Sequence, residues 1–264
     1  MHFSGLLSAT LSALLLVSPA LAETAAEKGY RIARQSADTE TGFRDLSVEG
    51  EMILYSSRGS TSTRRFTSRT VENDDNQGSK SLLIFDWPGD IRNTALLTHS
   101  YDTARDDQWL FLPAVRKVRR ISSSGRSGAF VGSEFAYEDM LDQNVDEFTY
   151  VWQRTEPCPN APGACDVIDR TSKNSTSYSL QRVWIDQRDN RTRVIQYFDR
   201  RGAHLKTLTI SAYRRYKNAY WRPGFMDMTN HLTGKRTELT WSNYRFDTGV
   251  NPTEFSPNAL RNIR

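Results

Sequence analysis

Cysteine is almost missing from this chain, with two residues in 264, and histidine is scarce, with four. No apolar run reaches the roughly 20 residues that a bilayer-spanning helix needs. These shortages remove whole classes of chemistry. His99, His204 and His231 fall on different predicted strands or loops, and none sits at ligand spacing from a second ligand, so no zinc site is expected. Gly125-Arg126-Ser127-Gly128 lacks the pattern and the strand-turn-helix context of a nucleophile elbow. Asp74-Asp75-Asn76 and Asp186 to Asn190 are polar turns without the glycine and distal glutamate of a calcium loop. Glu49 and Glu51 share one strand face, as an acidic exterior would. The chain reads as non-enzymatic, with no cofactor and no metal. Its formal net charge of +4 comes from charges mixed along the sequence, which argues against a nucleic-acid partner.

What is present begins with an export pattern. Leu6 to Val17 is apolar, Ser18-Pro19 breaks the run, and Ala20-Leu21-Ala22 is a small-x-small cleavage pattern before Glu23. Residues 1–22 are therefore expected to be a cleaved signal peptide, and 23–264 a single exported domain. Cysteine is absent from the cleavage site, so there is no acceptor for an N-terminal lipid. In an oxidising compartment Cys158 and Cys165, separated by a Pro- and Gly-rich loop, read as a disulfide pinning a turn between strands. A redox or metal-binding pair is the other reading, and the spacing is not C-x-x-C.

Thr24 to Ala37 has a helical pattern, with Ala25, Ala26, Tyr30, Ile32 and Ala33 on one side. From Leu46 the period changes to two. Strands are predicted over 46–56, 63–72, 80–87, 91–101, 108–112, 116–122, 147–154, 166–173, 179–186, 192–199, 204–214 and 235–246. Turn signals separate them without intervening helices, which argues for one large antiparallel sheet. A short helix or turn is predicted over Ser133–Leu141, capped by Ser133. Leu83, Phe85 and Trp87 point one way while Leu82 and Ile84 point the other, so something must cover both faces of the sheet.

The most informative stretch is Asp107–Met140. Trp109-Leu110-Phe111-Leu112 runs into Arg116-Lys117-Val118-Arg119-Arg120, and a Gly/Ser loop leads to Phe135-Ala136-Tyr137-Glu138-Asp139. Alternation places Arg116, Val118 and Arg120 on one side and Lys117, Arg119 and Ile121 on the other. A solvated edge strand guarded by cations explains this pattern. So does a greasy surface beside fixed positive charge, which suits an amphiphile with an acyl tail and an anionic head. On the second reading Trp109, Phe111, Arg116, Arg119, Arg120, Phe135, Tyr137 and Met140 are the ligand-binding candidates. The aromatic and methionine members also fit an ordinary core.

Gln108-Trp109-Leu110-Phe111-Leu112-Pro113, the basic run Arg116 to Ile121, and Phe130-Val131-Gly132-Ser133-Glu134-Phe135 with Tyr137-Glu138-Asp139 resemble the family of outer-membrane lipoprotein-sorting-like proteins. Phe111 stands where that family usually has Tyr, and Glu134 where it usually has Asp. The resemblance implies the fold of the carriers LolA and LolB, an incomplete, half-open antiparallel β-barrel with helices covering the concave face. It also implies a periplasmic protein without a cofactor that carries a lipid or acylated lipoprotein, is a monomer that does not span the membrane, and works with an RND-type inner-membrane transporter. A sensor or adaptor module that binds a membrane protein is the alternative.

Overall fold

A computed structural model describes residues 22–39, 41–73, 78–102 and 104–263. The expected signal peptide lies outside them, apart from Ala22. Helix α1 (Ala25–Ala37) starts where Thr24 and Glu27 cap each other reciprocally. The strands are β1 (Asp45–Tyr55), β2 (Thr61–Glu72), β3 (Ser79–Trp87), β4 (Ala95–Ser100), β5 (Asp107–Leu112), β6 (Lys117–Arg120), β7 (Phe148–Pro157) and β8 (Ala164–Ser172). They continue as β9 (Tyr178–Asp186), β10 (Thr192–Asp199), β11 (His204–Ser211), β12 (Arg214–Tyr216), β13 (Tyr220–Arg222), β14 (Phe225–Asn230) and β15 (Arg236–Phe246).

Thirteen strands form one antiparallel sheet in the order β6-β5-β4-β3-β2-β1-β15-β14-β11-β10-β9-β8-β7, and β12 pairs only with β13. Strands β6 and β7 are the two ends of this order, so the barrel stays open between them. The short, cationic β6 is the kind of edge that resists further pairing.

Cross-strand partners share a face, so the registers assign each side chain. The concave face carries Met52, Phe66, Leu83, Phe85, Leu96, Ile168, Ile195, Leu208, Met228 and Leu239 in one apolar cluster. Helix α1 contributes Ile32 and Ala33 to that cluster, and the segment 121–147 contributes Phe130, Phe135 and Val145. Gly29 lets α1 approach β7 closely: a Cβ there would lie 2.9 Å from the Trp152 amide nitrogen. On the convex face Leu82, Ala95, Leu97 and Phe111 are covered by Phe255 and Leu260 of the C-terminal segment. Both faces of β3 are thus covered, as its double-sided apolar pattern requires.

Two expectations need correction. Within the stretch expected as a short helix or turn, a 3-10 turn forms at Tyr137–Met140, but Ser133 does not cap it; that residue closes the preceding 3-10 turn at Phe130–Gly132. Ser133 (ψ 173°) and Ala136 (ψ 161°) are both extended, so no continuous helix runs from Ser133. The sequence also conceals β14, where Met226 and Met228 alternate with Phe225 and Asp227 directly after Pro223-Gly224.

Candidate functional site

The site is built where the segment 121–147 crosses the concave face. Three inward cations meet it. Arg64 is the cross-strand partner of Met52, Arg170 of Tyr150 and Lys206 of Tyr197, so all three point to the concave side. Arg64 donates to the Val131 carbonyl. Arg170 donates to Gln143 Oε1 at 3.1 Å. Lys206 Nζ lies 2.5 Å from Asp139 Oδ2 and 3.2 Å from the Glu134 carbonyl. The Lys206 and Asp139 side chains are 4% and 2% exposed, making this a buried ion pair.

Further bonds complete the attachment. Asp139 also accepts from the Tyr178 hydroxyl at 2.8 Å and from the Ala136 amide at 2.6 Å. Burial, reinforced by the Asp139 charge, pushes the Tyr178 hydroxyl far above its ordinary pKa. Lys206 sits over the Tyr178 and Tyr197 rings at 5.2 and 5.1 Å. Glu138 accepts from Thr176 and Ser177. Glu134 accepts from Asn230 at 2.7 Å, and its amide donates to Thr237 at 3.0 Å. Gln108 donates to the Tyr137 carbonyl at 3.0 Å. Between these polar fasteners Phe130, Phe135 and Tyr137 press into the sheet, with Phe130 5.7 Å from the Phe85 ring. The segment is therefore an apolar plug held by charge.

The sequence-derived candidates divide among three places. Phe135, Tyr137 and Met140 pack against the concave cluster as part of the plug. Arg119 and Lys117 pair with Leu110 and Leu112, whose face is the concave one. Burial raises the Tyr137 pKa, and the charge of Arg119 opposes that rise, which sets Arg119 near the plug. Trp109 and Phe111 face the convex side beneath the C-terminal segment. Arg120 shares that side and is ion-paired with Asp107. Arg116 stands exposed in the β5–β6 turn in left-handed conformation. Cys158 and Cys165 form a disulfide, with Cα atoms 4.9 Å apart, at the β7–β8 turn.

Arg64, Arg170, Lys206 and Asp139 were absent from the candidate set. Their signal was in the alternation: Arg64 is in phase with Phe66, Arg170 with Ile168, and Lys206 with Leu208 and Ile210. A cation in phase with an inward apolar row has to find a partner inside.

Two cavities border the plug and helix. One of about 280 Å³ lies beside α1 and is lined by Lys28, Arg31, Ile32, Asp166 and Gln187 among others. The other, about 70 Å³, lies between Arg105, Asp106, Arg126, Asp142 and Glu147. Ligand pockets for apolar molecules are typically about 300–1,000 Å³. No cluster of three or more metal-ligating side chains occurs among the described residues.

Comparison with known proteins agrees with this architecture. A family model described only as an uncharacterized protein-like family matches residues 77–262. An outer membrane lipoprotein-sorting protein domain from Vibrio parahaemolyticus is 40% identical, with 89% of this chain and 99% of that one covered and a TM-score of 0.85. A DUF1329 family protein from Desulfovibrio piger is 29% identical over 90% of this chain and 99% of that one, with a TM-score of 0.84. A LolA superfamily protein from Nitrosomonas europaea shares the fold at 18% identity, covering 88% and 98% with a TM-score of 0.69. Comparison with curated proteins finds no match. With its open antiparallel barrel and the 40% identical relative spanning nearly its whole length, the chain belongs to the outer membrane lipoprotein-sorting-like family, whose fold is that of LolA.

Proposed function

We propose that the protein is a periplasmic carrier of an acylated ligand, a lipid or a lipoprotein, which binds on the concave face where the plug now lies. One observation carries this reading: the plug fills its bed as an amphiphile would. Its aromatic side chains occupy the apolar wall, and its Asp139 carboxylate and its carbonyls occupy the inward cations Lys206 and Arg64. A ligand with an acyl tail and an anionic head offers the same two halves. Each buried methylene contributes about 0.8 kcal/mol, so one or two chains can compete with the plug's own aromatics. Arg116 and Arg119 stand at the open edge to steer the polar end, while Phe135, Tyr137 and Met140 move with the plug and Trp109 and Phe111 back the edge strand from behind. Release then needs an acceptor of higher affinity, at the outer membrane or in an RND-type exporter to or from which the cargo passes.

Native mass spectrometry of protein purified from a periplasmic fraction, with organic extraction, tests the proposal. A co-purifying lipid or acylated peptide near one per chain is expected. A clean apo mass, with no uptake of a fluorescent fatty acid, would refute it. That result would favour the second reading, a sensor or adaptor that binds a membrane protein. The filled concave face favours it, because a surface already packed with its own plug needs no cargo.

A further inference from the structure

Four neighbouring turns at one end of the sheet stand apart from the rest of the surface. They connect β5 to β6 (113–116), β3 to β4 (88–94), β1 to β2 (56–60) and β14 to β15 (231–235). The sheet order sets them side by side, about two strand spacings or roughly 10 Å apart. The third and fourth touch: a Cβ on Gly234 would lie 3.8 Å from Ser57 Cβ. This rim holds four of the six large hydrophobic residues that are exposed among the described residues: Leu232 (61%), Val115 (57%), Trp87 (48%) and Leu112 (36%). Leu112 and Val115 flank the β5–β6 turn, Trp87 leads into the β3–β4 turn and Leu232 lies in the β14–β15 turn, so they are spread along the rim rather than gathered in one patch.

The charge on the rim is mainly positive. Arg58, Arg92, Arg116, Lys117 and Lys235 are all exposed, against Asp90 within the turns and Asp86 beside Trp87. Nearby, Asp227 and Glu238 share the single cation Arg236 and Glu51 pairs with Arg65, so cations still outnumber acids along this end. The opposite end differs: there the cations are interleaved with acids, as in Arg188, Asp189 and Arg191, and Lys217 pairs with Asp247.

We infer that this rim docks the protein onto an anionic phospholipid bilayer. The inference goes beyond the carrier reading and does not depend on cargo. Apolar tips raised on short turns can enter the headgroup layer, where Trp is favoured, while the adjoining cations meet lipid phosphates. A protein partner would be met better by a continuous apolar patch with a polar rim than by separate apolar tips spaced between cations. Docking here also brings the plug's Val131–Glu134 stretch toward the membrane, because Glu134 bonds to Asn230 at the end of β14 and Arg64, near Asp90, bonds to Val131.

Flotation of the full chain with vesicles of phosphatidylethanolamine and phosphatidylglycerol tests the inference. Binding is expected at low salt and should fall steeply as salt rises. Phosphatidylcholine vesicles should bind at least tenfold less. Lys235→Gln and Arg92→Gln should each lower partitioning about fivefold. Leu232→Ser should weaken it while leaving the unfolding midpoint nearly unchanged, since this residue is 61% exposed. Arg214→Gln with Arg215→Gln, in the β12–β13 hairpin at the other end, should bind like the parent chain. The inference is overturned if the parent chain does not float with anionic vesicles, if the hairpin variant loses as much as the rim variants, or if only membranes containing protein retain the chain.

Discussion

Replacing Lys206 by Met should unfasten the plug. The ammonium sits 2.5 Å from Asp139 in a pair that is 4% and 2% exposed, so its removal leaves a carboxylate buried with only the Tyr178 hydroxyl and the Ala136 amide. Breaking such a pair costs about 3–5 kcal/mol. Beside the buried aromatics, the plug's other polar fasteners are hydrogen bonds worth about 1 kcal/mol each, or about 1.5–3 kcal/mol from the charged Arg64 and Arg170. The loss should therefore appear first as local opening and only partly as global unfolding. Hydrogen exchange reads this directly. The amides of Tyr137 and Glu138, bonded to the Gly128 and Arg126 carbonyls, should exchange about a hundredfold faster or more. Amides of the β1–β2 ladder should change far less. Adding Asp139→Asn should recover most of the loss, because the stranded charge is then gone. If the Tyr137 and Glu138 amides keep parental rates and the urea midpoint does not move, the plug is not held by this pair and the reasoning fails.

Three further outcomes are expected. Asp106 is buried, and burial together with the nearby Asp142 and Glu147 charges raises its pKa to about 7 from an ordinary 3.8. The folded state thus binds the extra proton between those values, so stability should fall as pH rises from about 4 to 7 and then level off. Asp106→Asn should flatten that slope in urea titrations at pH 5 and 8, and an unchanged slope would remove Asp106 as its source. Arg119→Ala should weaken binding of an anionic fluorescent fatty acid about tenfold and spare a neutral analogue, whereas Arg120→Ala, on the convex side and paired with Asp107, should affect neither. Equal losses from both variants would refute the orienting role of the concave cation. Leu260→Ala should destabilise the fold by about 2–5 kcal/mol, measured by chemical denaturation, because Leu260 is fully buried over Leu97 and Phe111; a loss below about 1 kcal/mol would mean that the C-terminal cover is dispensable.

Much of the fold could be read from the chain because period-two alternation is a local property. The two-sided apolar pattern of β3 required cover on both faces, and both are covered, by the plug on one side and Phe255 with Leu260 on the other. Alternation also put Arg119 and Arg120 on opposite faces of β6, and the fold decided that Arg119 is the inward one. The motif around Phe135, Tyr137, Glu138 and Asp139 stood out in the sequence, but its physical role did not. That role depends on Lys206, 67 residues away, and on Asn230, 96 residues from Glu134.

The sequence by itself determined most of the strands of the large sheet, though not β14, together with the disulfide partners and the family. Each is written in neighbouring residues or in their spacing. Only the tertiary structure decided that Trp109 and Phe111 lie behind the sheet rather than before it, because which face is concave depends on how thirteen strands curve together. It also decided that Arg64, Arg170 and Lys206 converge on one segment. A buried cation needs a partner, but the chain's pattern cannot say which distant carboxylate or carbonyl the curvature will deliver.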